Sequence, residues 1–204
     1  MKSIMLYHGG DRELQIENIK FNGRNDCDFG KGFYMTPHKQ IAEEWVRKRD
    51  NAVINKYELV YEESDSIILK GSDWLKVILG FREGLYPVNL TKNLVIGAIA
   101  NDRMNSALPA FLTEGILGIG DKRLFECLTL VQLGDQYTLK NSVEGLTFVG
   151  SYVLKGFTLQ QARDRHSQRR VNMAATLNKI KRNQYTNELF LEDYVEECKN
   201  GFTI

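Results

Sequence analysis

The chain has 204 residues, 43% of them hydrophobic, enough for one sizeable core and too few for two full domains without a clear linker. Its 27 Lys and Arg nearly cancel 26 Asp and Glu, which excludes a strong overall preference for nucleic acid or an anionic membrane. The balance is uneven: from Ser151 onward there is a surplus of three cations, so the body is mildly acidic and the tail mildly basic. Cys27, Cys127 and Cys198 stand apart with no C-x-x-C spacing, which argues against a disulfide framework or a zinc site and suits a reducing compartment. No apolar run approaches the roughly 18 residues of a membrane span, and the opening MKSIMLYHGG turns polar too soon for a secretory signal. A cytoplasmic protein with no membrane partner is the expectation.

In chain order, Ser3–His8 reads as a short buried strand that stops at Gly9-Gly10. Leu14–Phe21 fits a strand or a single helical turn equally well. FGKGFYMT closes in aromatic residues and Thr, which favour extended structure. Thr36-Pro37 then predicts a helix with Thr36 as cap and an apolar stripe of Ile41, Ala42, Trp45 and Val46. Val53–Tyr61 alternates as a strand, and Ser66–Leu69 reads as another. Ser72–Phe81 has a Ser cap candidate and Trp74, Val77, Ile78 and Phe81 at helical spacing. Leu94–Ala100 is continuously apolar, as a strand buried on both faces would be. Helices are expected over Asn101–Leu117 and Asp121–Leu133, and short strands over Gln136–Lys140 and Leu146–Val149. Beyond Thr158 a polar stretch free of Gly and Pro predicts an exposed helix.

Two segments carry chemistry. In Leu6-Tyr7-His8-Gly9-Gly10 an imidazole ends a buried strand, and the glycines admit a close ligand. That His suits a ribose hydroxyl or a phosphate; the plainer reading is a core His before a tight turn. In Asp28-Phe29-Gly30-Lys31-Gly32-Phe33-Tyr34-Met35-Thr36, Gly30 and Gly32 free the backbone, Phe33 and Tyr34 offer faces for stacking, and Lys31 offers a charge for a phosphate. The G-x-G pair lacks the third Gly of a Rossmann fingerprint and the spacing of a Walker loop, so alone it fits a glycine hairpin equally well.

Taken together, a YHG strand end, then FGKGFY-x-T, then a helix bearing Ala42 and Trp45 resembles the ADP-ribosyltransferase superfamily, in its His-Tyr branch that includes the poly(ADP-ribose) polymerase catalytic domains. Within it the chain looks most like the small bacterial family called domain of unknown function 3990, through LYHGG, DFGKGFYMT and LVIGAIANDRM, over roughly residues 4 to 150. The resemblance implies an α+β fold, a split β-sandwich of two short sheets with flanking helices, over residues 1–157. A helical, mildly basic extension follows over 158–204.

The resemblance also implies that NAD+ is the co-substrate, bound in a cleft between the sheets. His8 would hold the ribose 2′-hydroxyl and Gly9 the nicotinamide amide, with Tyr34 stacked on the pyridine ring and Tyr7, Gly30, Gly32, Phe33 and Thr36 beside it. Such transferases place a Glu at the start of a late strand; here that position carries Gln136, which hydrogen-bonds without charge. Glu126 and Glu144 are substitutes for it or exposed surface charges. Asn101, Asp102 and Arg103, after the buried strand, are site candidates or an N-capped helix start.

Mono-ADP-ribosyl transfer to a macromolecular acceptor is the activity this implies, in a bacterial toxin or conflict-system setting. A pocket that binds NAD+ or ADP-ribose without turnover, and an NAD+ glycohydrolase, are the alternatives. Arg163, Arg165, Arg169, Arg170, Lys179, Lys181 and Arg182 crowd the tail with Asp164 as their opposing charge. They suit a solvated helix face, nucleic-acid phosphates, or an antitoxin or other acidic protein partner. His38 and His166 have no second ligand at metal spacing, so no metal is expected.

Overall fold

The computed structural model describes residues 1–100, 120–129, 133–180 and 190–204. In chain order the elements are β1 (Lys2–Gly10), β2 (Phe33–Met35), α1 (Lys39–Trp45), β3 (Ala52–Tyr61), β4 (Ser66–Ile68), α2 (Gly71–Glu83), β5 (Val88–Asn89) and β6 (Leu94–Ala98). They continue with α3 (Asp121–Leu128), β7 (Asp135–Leu139), β8 (Leu146–Leu154), α4 (Gly156–Ile180), α5 (Leu191–Cys198) and β9 (Phe202–Thr203). The fold is α+β, with helices flanking the sheets and following them in the chain.

One sheet runs β1-β3-β8, antiparallel throughout, and a second runs β2-β7-β6-β4, with β4 and β6 parallel. The sheets meet where Tyr7 and Thr36 exchange main-chain hydrogen bonds of 2.8 and 3.0 Å. Between them lies a core of Leu6, Tyr57 and Leu59 from one sheet and Phe33, Met35, Leu94, Ile96, Tyr137 and Leu139 from the other. The opposite face of the second sheet packs under α2, where Val95 joins Phe29, Trp74 and Ile78. Leu94 and Ile96 face one cluster and Val95 the other, which is why this strand is apolar at successive positions. A smaller cluster of Ala42, Val46, Ala52, Ile54 and Leu154 seats α1 on the first sheet.

Three sequence expectations are corrected. Thr36 does not cap a helix beginning at Pro37: its backbone is taken by Tyr7, its hydroxyl donates to the Asp135 carbonyl and accepts from His38 N–H, and α1 starts at Lys39. Ser72 does not cap α2, which begins one residue earlier behind Lys70. The strand expected over Leu146–Val149 extends to Leu154 as β8, because its far half completes pairing with the start of β3. Leu14–Phe21 resolves into a single 3-10 turn at Ile16–Asn18.

The polar tail forms α4, with a docked face. Arg165 pairs with Glu43 and Glu44 of α1, and Arg169 reaches Glu44 at 3.1 Å. Part of the basic run therefore meets an acidic partner within the chain itself; Lys181 and Arg182 lie outside the described residues. The chain end then returns to the core. Tyr194 and Cys198 of α5 are buried with Trp74, and β9 pairs in parallel with β5.

Candidate active site at the strand end

The joint between the sheets positions the first candidate side chain. His8 Nδ1 lies 2.8 Å from the Tyr34 carbonyl oxygen. A carbonyl only accepts, so Nδ1 carries the proton and Nε2 is left as an acceptor beside Gly10. The ring leans on Phe33, centroids 4.4 Å apart. Loss of water at this packed spot pushes the imidazole pKa below its ordinary value, outweighing the opposite pull of the Tyr34 carbonyl bond. Neutral His8 is thus the working form near neutral pH. Gly9 follows because α1 presses on the strand end: a Cβ there would lie 2.6 Å from Val46 Cγ1 and 2.7 Å from the Ala42 carbonyl oxygen.

Beside His8 opens a cleft of about 620 Å³, lined also by Gly10, Arg12, Lys20, Gly32, Phe33 and Asn55. Part of its wall is the segment between β1 and β2, which carries the 3-10 turn and is held by side chains of β3. Fully buried Asn55 accepts from Leu14 N–H at 2.8 Å and donates to the Arg12 carbonyl at 3.0 Å, and the Tyr57 hydroxyl donates to the Leu14 carbonyl at 2.7 Å. Satisfied buried groups of this kind fix a loop. The cleft therefore offers mixed charge, amide groups and one neutral imidazole, a polar lining that suits a sugar or phosphate better than a hydrocarbon.

Tyr34 projects from the other face of β2, since neighbours along a strand alternate. Its hydroxyl donates to the Gly30 carbonyl at 2.6 Å and accepts from Phe29 N–H at 2.9 Å, with the ring stacked near Phe29. Burial, then the negative charge of Asp28, raises the phenol pKa far above its ordinary value, so it stays a neutral donor. Gly30 sits at φ +69°, a left-handed conformation, with Phe81 against its Cα.

On the same side, Gln136 of β7 is buried and its Nε2 donates to Asp28 Oδ2 at 2.6 Å. Asp28 also accepts from Ala100 N–H at 2.9 Å and forms a buried ion pair with Arg82 of α2. At the far end of β7, Lys140 Nζ reaches the Phe29 carbonyl and sits over the Phe81 ring; burial pushes its pKa down to about 8.

With this geometry in view, comparison with known proteins places the chain. A family model described as a protein of unknown function, DUF3990, matches residues 4–148. The chain belongs to the DUF3990 family. No curated protein and no solved structure matches it. The DUF3990 match takes in the strand end, the glycine segment and Gln136, and stops before α4 and α5.

Within the DUF3990 region, the sequence candidates divide into two groups. His8, Gly32 and Phe33 border the cleft. Tyr34, Gly30 and Gln136 gather around Asp28, and Thr36 reaches the residue beside Gln136 through its bond to the Asp135 carbonyl. The imidazole and the phenol do not face each other ring to ring; His8 touches the main chain of Tyr34 and the ring of Phe33. Tyr7 and Gly9 pack towards α1, and Lys31 is exposed. Asn101, Asp102 and Arg103 lie outside the described residues. Glu126 borders a separate hollow with Leu75 and Tyr194, and Glu144 is exposed in the turn before β8; neither stands at Gln136. Among the described residues no group of three or more His, Cys, Asp or Glu could hold a metal.

Sequence reasoning missed Asp28 and Arg82 as a pair, and Asn55. The last had a signal: a polar residue on the face of an alternating strand whose other inward side chains, Val53, Tyr57 and Leu59, are apolar or aromatic. The pair had none, since two opposite charges 54 positions apart match only in three dimensions.

Proposed function

We infer that the protein is an NAD+-dependent mono-ADP-ribosyltransferase-like enzyme that moves ADP-ribose to a macromolecular acceptor and releases nicotinamide. The observation that carries this reading is the bond from His8 Nδ1 to the Tyr34 carbonyl, which ties the YHG strand end to the glycine segment. Gln136 follows on β7, the strand hydrogen-bonded to β2. In the reaction the C1′–N1 glycosidic bond breaks and its electron pair leaves with nicotinamide. The acceptor's nucleophile bonds C1′ and its proton passes to solvent. His8 Nε2 accepts from a ribose hydroxyl and exposed Lys31 meets the pyrophosphate, while the roles the resemblance gives Tyr34, stacking on the pyridine, and Gln136, accepting from the ribose, call on side chains that lie on the other face of β2 from the imidazole.

A second reading is binding of NAD+ or ADP-ribose without turnover, with NAD+ hydrolysis as the intermediate case in which water is the acceptor. The neutral Gln136 amide favours it, because it brings no charge to an oxocarbenium-like centre. Incubation with nicotinamide-labelled NAD+, with and without cell lysate, separates these. A transferase releases label faster with lysate, a glycohydrolase equally in both, and a binder in neither. For either enzyme His8→Ala and Tyr34→Ala must slow release; equal rates in all three proteins refute the residue assignments.

A further inference from the structure

Gln136 Nε2 lies 2.6 Å from Asp28 Oδ2 and 3.4 Å from the Ala98 carbonyl oxygen, and both of these only accept. An amide between two acceptors turns its NH2 towards them; the flipped amide would set Oε1 against a carboxylate oxygen. The side-chain oxygen of Gln136 therefore points away from Asp28. Asp28 cannot swing to relax this arrangement, since Arg82 holds Oδ1 and Ala100 N–H holds Oδ2.

We propose that Asp28, anchored by Arg82, is the positioning residue that fixes the Gln136 amide with its oxygen presented to a hydroxyl-bearing ribosyl group, and that Asp28 is the reason an amide rather than a carboxylate occupies position 136. The ligand half of this rests on the functional reading given above; the pairing half does not. A Glu at 136 would bring a second carboxylate against the first at hydrogen-bond distance, and two such groups share a proton. Among the described residues, the charged or titratable groups beside Asp28 include Arg82 of α2, the Tyr34 phenol of β2 and the Cys27 thiol, and burial raises the pKa of both the phenol and the thiol. Lys140 lies beyond them at the Phe29 carbonyl.

The test is the melting temperature of wild type, Gln136→Glu and the double variant Asp28→Asn with Gln136→Glu, followed from about pH 6 to about pH 8. A proton bound in the folded state but not the unfolded one stabilises at low pH and is lost as pH rises. Gln136→Glu is therefore expected to fall relative to wild type as pH rises, and the double variant, with one carboxylate left, to fall by less; an equal fall in both variants overturns the proposal, because burial alone then holds the proton. Should Gln136→Glu itself run parallel to wild type, the two side chains do not meet and the proposal is overturned. Calorimetric titration with NAD+ addresses the ligand half: Asp28→Asn is expected to bind about tenfold more weakly than wild type. An unchanged affinity refutes the positioning role. Absence of binding by wild type refutes the NAD+ reading while the melting curves still decide the pairing.

Discussion

His8 reaches Tyr34 through the main chain, Nδ1 to carbonyl oxygen at 2.8 Å, and this bond sets the tautomer of the imidazole and, with the Tyr7–Thr36 bridge, ties the strand end to the glycine segment. The ring is held neutral chiefly by loss of water, so its folded pKa is below that in the unfolded chain. Between the two values the unfolded state binds more protons, and stability rises with pH. Wild type is expected to lose melting temperature as pH is lowered through about 6.5, the unfolded value, and His8→Gln to lose less over the same span. Groups common to both proteins cancel in the comparison; identical slopes would assign no such proton to His8.

Gly9 is expected to tolerate no side chain. Of the two atoms that a Cβ would strike, one is main chain of α1 and the other belongs to Val46, its C-cap residue, so the helix as a whole must shift. Gly9→Ala should cost about 1–3 kcal/mol, measured by denaturant unfolding, and should also disturb ligand binding because His8 is the adjoining residue. A neutral substitution would mean that α1 is not pressed against the strand end.

The joint between α4 and α1 should be worth measuring as a unit. Glu44 is almost fully buried, and Arg165 and Arg169 are about a third exposed or less. Replacing both arginines by Met is expected to cost roughly 1–2 kcal/mol, short of a fully buried pair because solvent reaches one side. Combining this with Glu43→Gln and Glu44→Gln should cost less than the sum of the two changes. Strict additivity would show that the charges do not interact.

Lys140 is expected to be an unusually reactive amine. Its pKa of about 8 follows from burial beside Phe29 and Phe81. Acylation followed by mass spectrometry should show its labelling rate rising with a midpoint near that value, against about 10.4 for an ordinary lysine. A midpoint in the ordinary range would mean that the ammonium stands in water.

The elements most legible in the sequence were those whose burial is periodic. β3 alternates, β6 is apolar on both faces, and α2 carries Trp74, Val77 and Ile78 on one stripe. The DFGKGFYMT segment announced itself by composition, though its Thr36-Pro37 end misled: the cap signature is local, and the competing demand on Thr36 comes from Tyr7, 29 positions earlier. Two-residue strands such as β5 and β9 carry no pattern to read; their pairing is fixed by where α5 ends. For the same reason truncation at residue 158 is not a clean test of the tail, since it would strip Tyr194 and Cys198 from the cluster around Trp74. Arg165→Met with Arg169→Met probes the tail without opening the core.

The most direct test of the account is calorimetric titration of the wild-type protein and of His8→Ala with NAD+. Saturable binding by wild type, weakened about tenfold by loss of the imidazole, is the predicted result. No binding by wild type, or equal affinity in both proteins, would contradict the assignment of a dinucleotide site to the end of β1.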